Sequence, residues 1–213
     1  MSYLLPLLLA VVMISVFAAL MREGLWGNAI TFFNVTIAGL LATNFYEPVA
    51  ELFESKMPSG TMFWDIIAVW LLFAIAYGVF KIATDNVSKF QVRFKKPIDM
   101  VGGYFFAAWT SWVLLCFLTM TLHMAPLSRE FFFKGFRAES AIFFGLKPDR
   151  LWLAWMQSLS QGAYERMQSD EERKSKAYVF DPQGEFMPKY QTRREQYSRT
   201  DTFSGLPADG ASN

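Results

Sequence analysis

One histidine and one cysteine limit the chemistry open to this chain. His123 has no second ligand candidate near it in sequence, and Cys116 lies inside an apolar run. A cysteine-rich metal site and a disulfide framework are therefore both excluded. There is no Gly-x-Ser-x-Gly elbow, and Gly102-Gly103 lacks the lysine of a phosphate-cradling loop. Carboxylates are plentiful, but no two are paired by pattern into a buried acid and base. The residues thus predict no catalytic group, no metal site and no cofactor. His123 reads as an amphipathic residue placed at a membrane interface. Asp65 and Asp99, near the starts of apolar runs, read as stabilisers of helix N-termini, each worth ~0.3–1 kcal/mol.

The polar residues that remain are spaced for helices. Gly27, Thr31, Asn34, Ala38 and Ala42 recur at three- and four-residue intervals and share one helical face, with Asn28, Thr36 and Asn44 adding polar groups to the same segment. Such a face suits close helix packing, with each interhelical hydrogen bond worth ~0.6–2 kcal/mol, or else the wall of a polar pathway. Packing is the preferred reading, because no ionisable residue lies in the middle of this segment. Ala74 and Gly78 form a small-xxx-small step in the next apolar run, and Gly103, Ala107 and Ser111 do so in the one after. Between those two runs, Lys89, Arg93, Lys95 and Lys96 alternate with Phe90, Val92 and Phe94. An extended segment of that pattern dips its apolar side toward lipid and offers four cations to anionic headgroups, at ~1 kcal/mol each.

The elements that must position these residues are four apolar stretches, Tyr3–Met21, Leu25–Tyr46, Met62–Ala83 and Met100–Leu122. Each approaches or exceeds the ~20 residues that cross the hydrocarbon of a bilayer. Apolar residues make up 53% of the chain, and of its 20 Lys+Arg and 19 Asp+Glu, 14 fall in residues 1–123 and 25 in residues 124–213. Net charge is +1, so nothing marks a nucleic-acid partner. Met1-Ser2-Tyr3 supplies no positive n-region, and no small-x-small cleavage site follows, so the first stretch reads as a retained helix. Arg22-Glu23-Gly24 is short enough to force an antiparallel hairpin. Pro48 and Pro58-Ser59-Gly60 mark turns around a short helix in the second link. Basic residues divide too evenly between the two sides to orient the chain.

Beyond the spans, Phe131-Phe132-Phe133, Phe136 and Phe143-Phe144 alternate with charges in a segment too polar to cross. Pro148 and Asp149 start a helix whose Trp152, Trp155, Met156 and Leu159 form one stripe, suited to capping the bundle. Tyr178-Val179-Phe180 reads as a brief strand, and the chain after ~191 as disordered. The fold class expected is therefore all-α. A polytopic four-helix membrane bundle occupies residues 1–125, an aromatic-rich amphipathic helical segment 126–168, and a polar, largely disordered tail 169–213.

Several short motifs carry a family likeness. Arg22-Glu23-Gly24-Leu25-Trp26-Gly27 joins the first two spans, Phe45-Tyr46-Glu47-Pro48 ends the second, Ala83-Thr84-Asp85 ends the third, and Gly102-Gly103 opens the fourth. Over about residues 1–125 the arrangement resembles the colicin V production (CvpA) family. The stretch Phe143-Phe144-Gly145-Leu146-Lys147-Pro148-Asp149-Arg150 is similar to C-terminal extensions of some members. The resemblance implies a multi-pass protein of the inner (plasma) membrane, tied to colicin V production or export and to envelope homeostasis. It carries over no catalytic residue. Three functions follow in order: a non-enzymatic organiser or secretion accessory, a small transporter or channel subunit using the polar face of the second span, and a membrane-anchored enzyme. The expected partners are the lipid bilayer and either a second copy or a membrane or envelope protein.

Overall fold

The computed structural model describes residues 3–57, 60–88, 94–125, 141–160, 180–181 and 183–199. The elements formed are α1 (Leu4–Leu20), α2 (Leu25–Lys56), α3 (Thr61–Val87), α4 (Lys96–Met124), α5 (Pro148–Ser160) and α6 (Phe186–Arg199). Among the described residues the only extended pairing is an isolated bridge between Phe143 and Leu146. Helices α2, α3 and α4 are long and apolar enough to cross a membrane. Helix α1 is apolar over 17 residues, at the short end of the range that spans a bilayer. The all-α membrane bundle read from the sequence is the architecture the chain adopts.

The spans are arranged more as a row than as a ring. Helix α2 packs against α3 on one side and α4 on the other, α1 packs on α4, and α3 meets α4 only sparsely. Helix α3 consequently leaves Phe63, Ile67, Leu71, Ile75, Val79 and Ile82 exposed, at spacings of three and four that make one lipid-facing stripe. Ala74 is exposed with that stripe, and a Cβ added to Gly78 would meet nothing within 4 Å. Among the described residues the small step in α3 therefore packs closely against no neighbour.

Two expectations about the links are corrected. Helix α2 does not turn at Pro48 but continues through it to Lys56. Proline removes one backbone donor from a helix and crowds the preceding turn. Here that local penalty is offset by burial on both sides of it, with Tyr46 and Ala50 in the core and the Phe53 ring tilted against Trp64 of α3 at 5.4 Å. The second correction concerns the tail, where residues 191–199 belong to α6 rather than to a disordered end. Its Phe186 and Tyr190 are buried against the bundle, which supplies the stability that a 14-residue polar helix lacks alone. The Phe131–Phe136 cluster, Tyr178-Val179 and the alternating segment at 89–93 lie outside the described residues.

The core sits where α2, α3, α4 and α5 converge. Phe117 of α4 stacks at 4.9 Å on Phe73 and meets both Trp70 and Trp152 edge-to-face at 5.4 Å. Trp152 reaches α2 because Gly39 leaves room for it: a Cβ there would lie 2.8 Å from the indole. Its Nε1–H donates to Thr43 Oγ1 at 3.0 Å. Helix α5 buries Asp149, Trp152, Met156 and Ser160, while Trp155, expected on the same stripe, is half-exposed at the rim. A smaller cluster joins Leu5 and Leu9 of α1 to Leu115 of α4, with Ile142 and Phe143 wedged against them.

Candidate functional site

A polar cleft of about 640 Å³ opens between α2 and α3, at the end where α4 begins. Its walls are Trp26, Gly27, Ile30, Thr31 and Asn34 of α2 and Tyr77, Lys81 and Asp85 of α3, with Arg22-Glu23-Gly24, Ser88, Phe94 and Asp99 around the mouth. The space follows from side-chain size: Gly27 and Thr31 stand one turn apart on the same face of α2 and leave the groove unfilled. Two hydrogen bonds fix its width. Trp26 Nε1–H donates to Ser88 Oγ at 2.6 Å, and Asn34 Nδ2 donates to Thr84 Oγ1 at 2.9 Å. Lys81 and Asp85 form a 3.4 Å pair along α3, exposed on both sides and therefore of small energetic value.

The mouth is held by the hairpin between α1 and α2. Asn28 is fully buried, and its Nδ2 lies 3.0 Å from the carbonyl oxygens of Leu20, Glu23 and Gly103. One amide thus ties the end of α1, the turn and the start of α4 together. Asp99 Oδ1 accepts the Leu25 N–H at 2.9 Å, so a carboxylate from α4 satisfies an otherwise free donor at the start of α2. Gly24 permits that approach, since a Cβ there would lie 2.9 Å from both Asp99 carboxylate oxygens. Asp99 occupies the first turn of its own helix as expected, and the cross-helix contact is its additional role.

Of the residues singled out from sequence, Gly27, Thr31 and Asn34 come together in the cleft, and Asn28 braces it from behind. Gly103 presses against the backbone of Glu23 and Leu25, at 3.3 Å from a would-be Cβ. Ala107 and Ser111 continue the buried side of α4, where Ser111 Oγ donates to the Ala107 carbonyl. Ala74 and Gly78 take no part. Lys95 and Lys96 are exposed where α4 starts, and Lys89 and Arg93 lie outside the described residues. Sequence reasoning missed Tyr77, Lys81 and Asp85 as cleft residues, although their four-residue spacing already placed them on one face of α3.

The opposite end of the spans is closed by α5 and α6. Tyr190 of α6 donates to Asp65 Oδ2 at 2.8 Å and lies 3.2 Å from the Tyr46 hydroxyl; Arg193 pairs with the same Asp65 oxygen. Lys189 reaches Glu47 at 3.3 Å. Burial pushes the Tyr190 hydroxyl well above the ordinary tyrosine value, reinforced by Tyr46 and Asp65. His123 is buried at 1% exposure, with Nε2 3.0 Å from Asp149 Oδ2 and Nδ1 3.3 Å from Arg194 Nη2. A guanidinium only donates, so Nδ1 accepts and the ring proton sits on Nε2, directed at Asp149.

These contacts overturn two readings. His123, read as an amphipathic residue at the membrane interface, is a buried joint between α4, α5 and α6. Asp65 lies beyond the first turn of α3, which holds no acidic residue, and serves as the anchor for α6. Among the described residues, no three His, Cys, Asp or Glu side chains gather as a metal site would require.

The chain matches the family model for Colicin V production protein over residues 6–146. No curated protein and no solved structure matches it.

Proposed function

The chain belongs to the colicin V production protein family, and on that footing we propose that it acts in the inner (plasma) membrane as a non-enzymatic accessory or organiser. Its work is toxin production or export, or envelope homeostasis, and its partners are a second copy or another membrane or envelope protein. The observation that supports this reading is the use made of ionisable side chains at the Tyr46–His123 end. Asp65, His123, Asp149, Arg193 and Arg194 bind α5 and α6 to the spans, so these two helices present one surface on the membrane domain. A surface with exposed aromatic and charged groups suits docking. Crosslinking in intact membranes followed by co-purification tests it. A defined partner or oligomer supports the reading, and a monomer that captures nothing reproducibly counts against it.

A second reading has its own observation. Gly27, Thr31 and Asn34 line the open cleft between α2 and α3, which suits a small transporter or channel subunit. Asn34→Leu then abolishes complementation of a deletion strain's envelope phenotype while folded protein persists in the membrane. Full complementation by that variant reduces the polar face to packing.

A further inference from the structure

We infer that the cleft between α2 and α3 is a binding site for one phospholipid with a phosphoethanolamine headgroup. Among the described residues the cleft gathers two cations, Arg22 and Lys81, and three carboxylates, Glu23, Asp85 and Asp99. Within that set neither sign stands alone, so a purely anionic group meets carboxylates and a purely cationic one meets Arg22 and Lys81. A zwitterion satisfies both sets. Its phosphodiester takes charge-assisted hydrogen bonds from the guanidinium and ammonium groups, and its own ammonium donates to carboxylate oxygens.

The kind of cationic group is set by the same residues. A primary ammonium has N–H donors for Glu23 and Asp85, whereas a quaternary ammonium has none and would need a cage of aromatic faces. Among the described lining residues Trp26, Tyr77 and Phe94 are aromatic, and Trp26 is held in the wall by its bond to Ser88. Asp99 is already engaged with the Leu25 N–H, which leaves Glu23 and, through a carboxylate shared with its exposed partner Lys81, Asp85 for the ammonium. Arg22 is exposed beside them.

Position argues for a lipid over a free solute. The cleft lies where the spans end, at headgroup depth, and about 640 Å³ is within the range of small-molecule sites. Helix α3 supplies Tyr77 and Lys81 to the cleft and, from the same turns, the exposed apolar Ile75, Val79 and Ile82, along which acyl chains can lie. The assignment needs only the membrane domain and goes beyond both readings of function above.

The test is a titration of the purified full chain with phosphatidylethanolamine, phosphatidylcholine and phosphatidylglycerol of identical acyl chains, reading bound lipid by native mass spectrometry. Wild type retains the ethanolamine lipid in preference to the other two. Arg22→Gln weakens that retention by about tenfold, the loss of one charge-assisted hydrogen bond. Asp85→Asn removes the preference for ethanolamine over choline. Both positions are exposed, so thermal unfolding should match wild type, and Gly27→Leu, which fills the cleft, gives an independent loss of binding. Equal retention of the choline lipid, tighter retention of the glycerol lipid, or an ethanolamine preference undiminished in all three variants overturns the assignment.

Discussion

The buried Tyr190 hydroxyl joins a carboxylate to a second tyrosine, a bridge that a phenyl ring cannot make. Tyr190→Phe leaves Asp65 with Arg193 alone and should weaken the docking of α6 by about 1.5–3 kcal/mol, the range for a hydrogen bond to a charged group. Limited proteolysis between α5 and α6 in detergent checks this, since a loosened α6 is cut faster. The same group gives a pH dependence with a definite sign. Its folded pKa is raised above the ordinary 10.0, so the folded state holds its proton more tightly than the unfolded chain does. That contribution is complete below pH 10 and is lost as pH rises beyond it. Proteolysis of wild type should therefore accelerate on the alkaline side, and Tyr190→Phe should flatten that part of the profile. At the other end, Asn28→Leu strips a shared donor from three carbonyls and should cost on the order of 2 kcal/mol, read as a lowered unfolding temperature. Equal stability to wild type would show that water replaces the amide.

Helix α5 owes its place to one side chain more than to its propensity. Trp152→Ala removes an indole buried to 1% between Gly39 and Phe117 and should destabilise the protein by about 3–5 kcal/mol. Trp155→Ala, on the exposed rim, should stay within about 0.5 kcal/mol of wild type. A ranking reversed in thermal unfolding would mean that α5 is seated by its rim. The comparison also marks what was legible. Run length located α2 to α4, because crossing a bilayer demands it, and the shorter apolar α1 beside them. Helical spacing put Gly27, Thr31 and Asn34 on one face. It put Trp152 and Trp155 on one stripe but could not say which was buried, since that depends on Gly39, 113 residues upstream. His123 and Asp65 were misread for the same reason: their partners lie 26 to 128 residues away, beyond any periodicity. Pro48 misled because its local cost is outweighed only by tertiary burial of the turns beside it.

Across the whole molecule, the contacts impose a sidedness that no count of basic residues supplied. Helices α2, α3 and α4 alternate in direction, so Glu47, Asp65 and His123 share one end of the spans and Arg22, Lys81 and Asp99 the other. Helix α6 binds Asp65, Glu47 and His123 together, which places it on the first of those sides. Paired topology reporters, one active only in the cytoplasm and one only outside it, should therefore agree when fused after Met57 or at Asn213, and report the opposite side when fused after Ser88. Disagreement between Met57 and Asn213 would mean that the docked α6 does not form in the membrane. The absolute answer then directs the search for partners. A cytoplasmic Asn213 puts the α5–α6 surface before soluble cytoplasmic proteins and the charged cleft at the outer leaflet. An external Asn213 turns that surface toward envelope components and opens the cleft to the inner leaflet, where Lys95 and Lys96 meet anionic lipid.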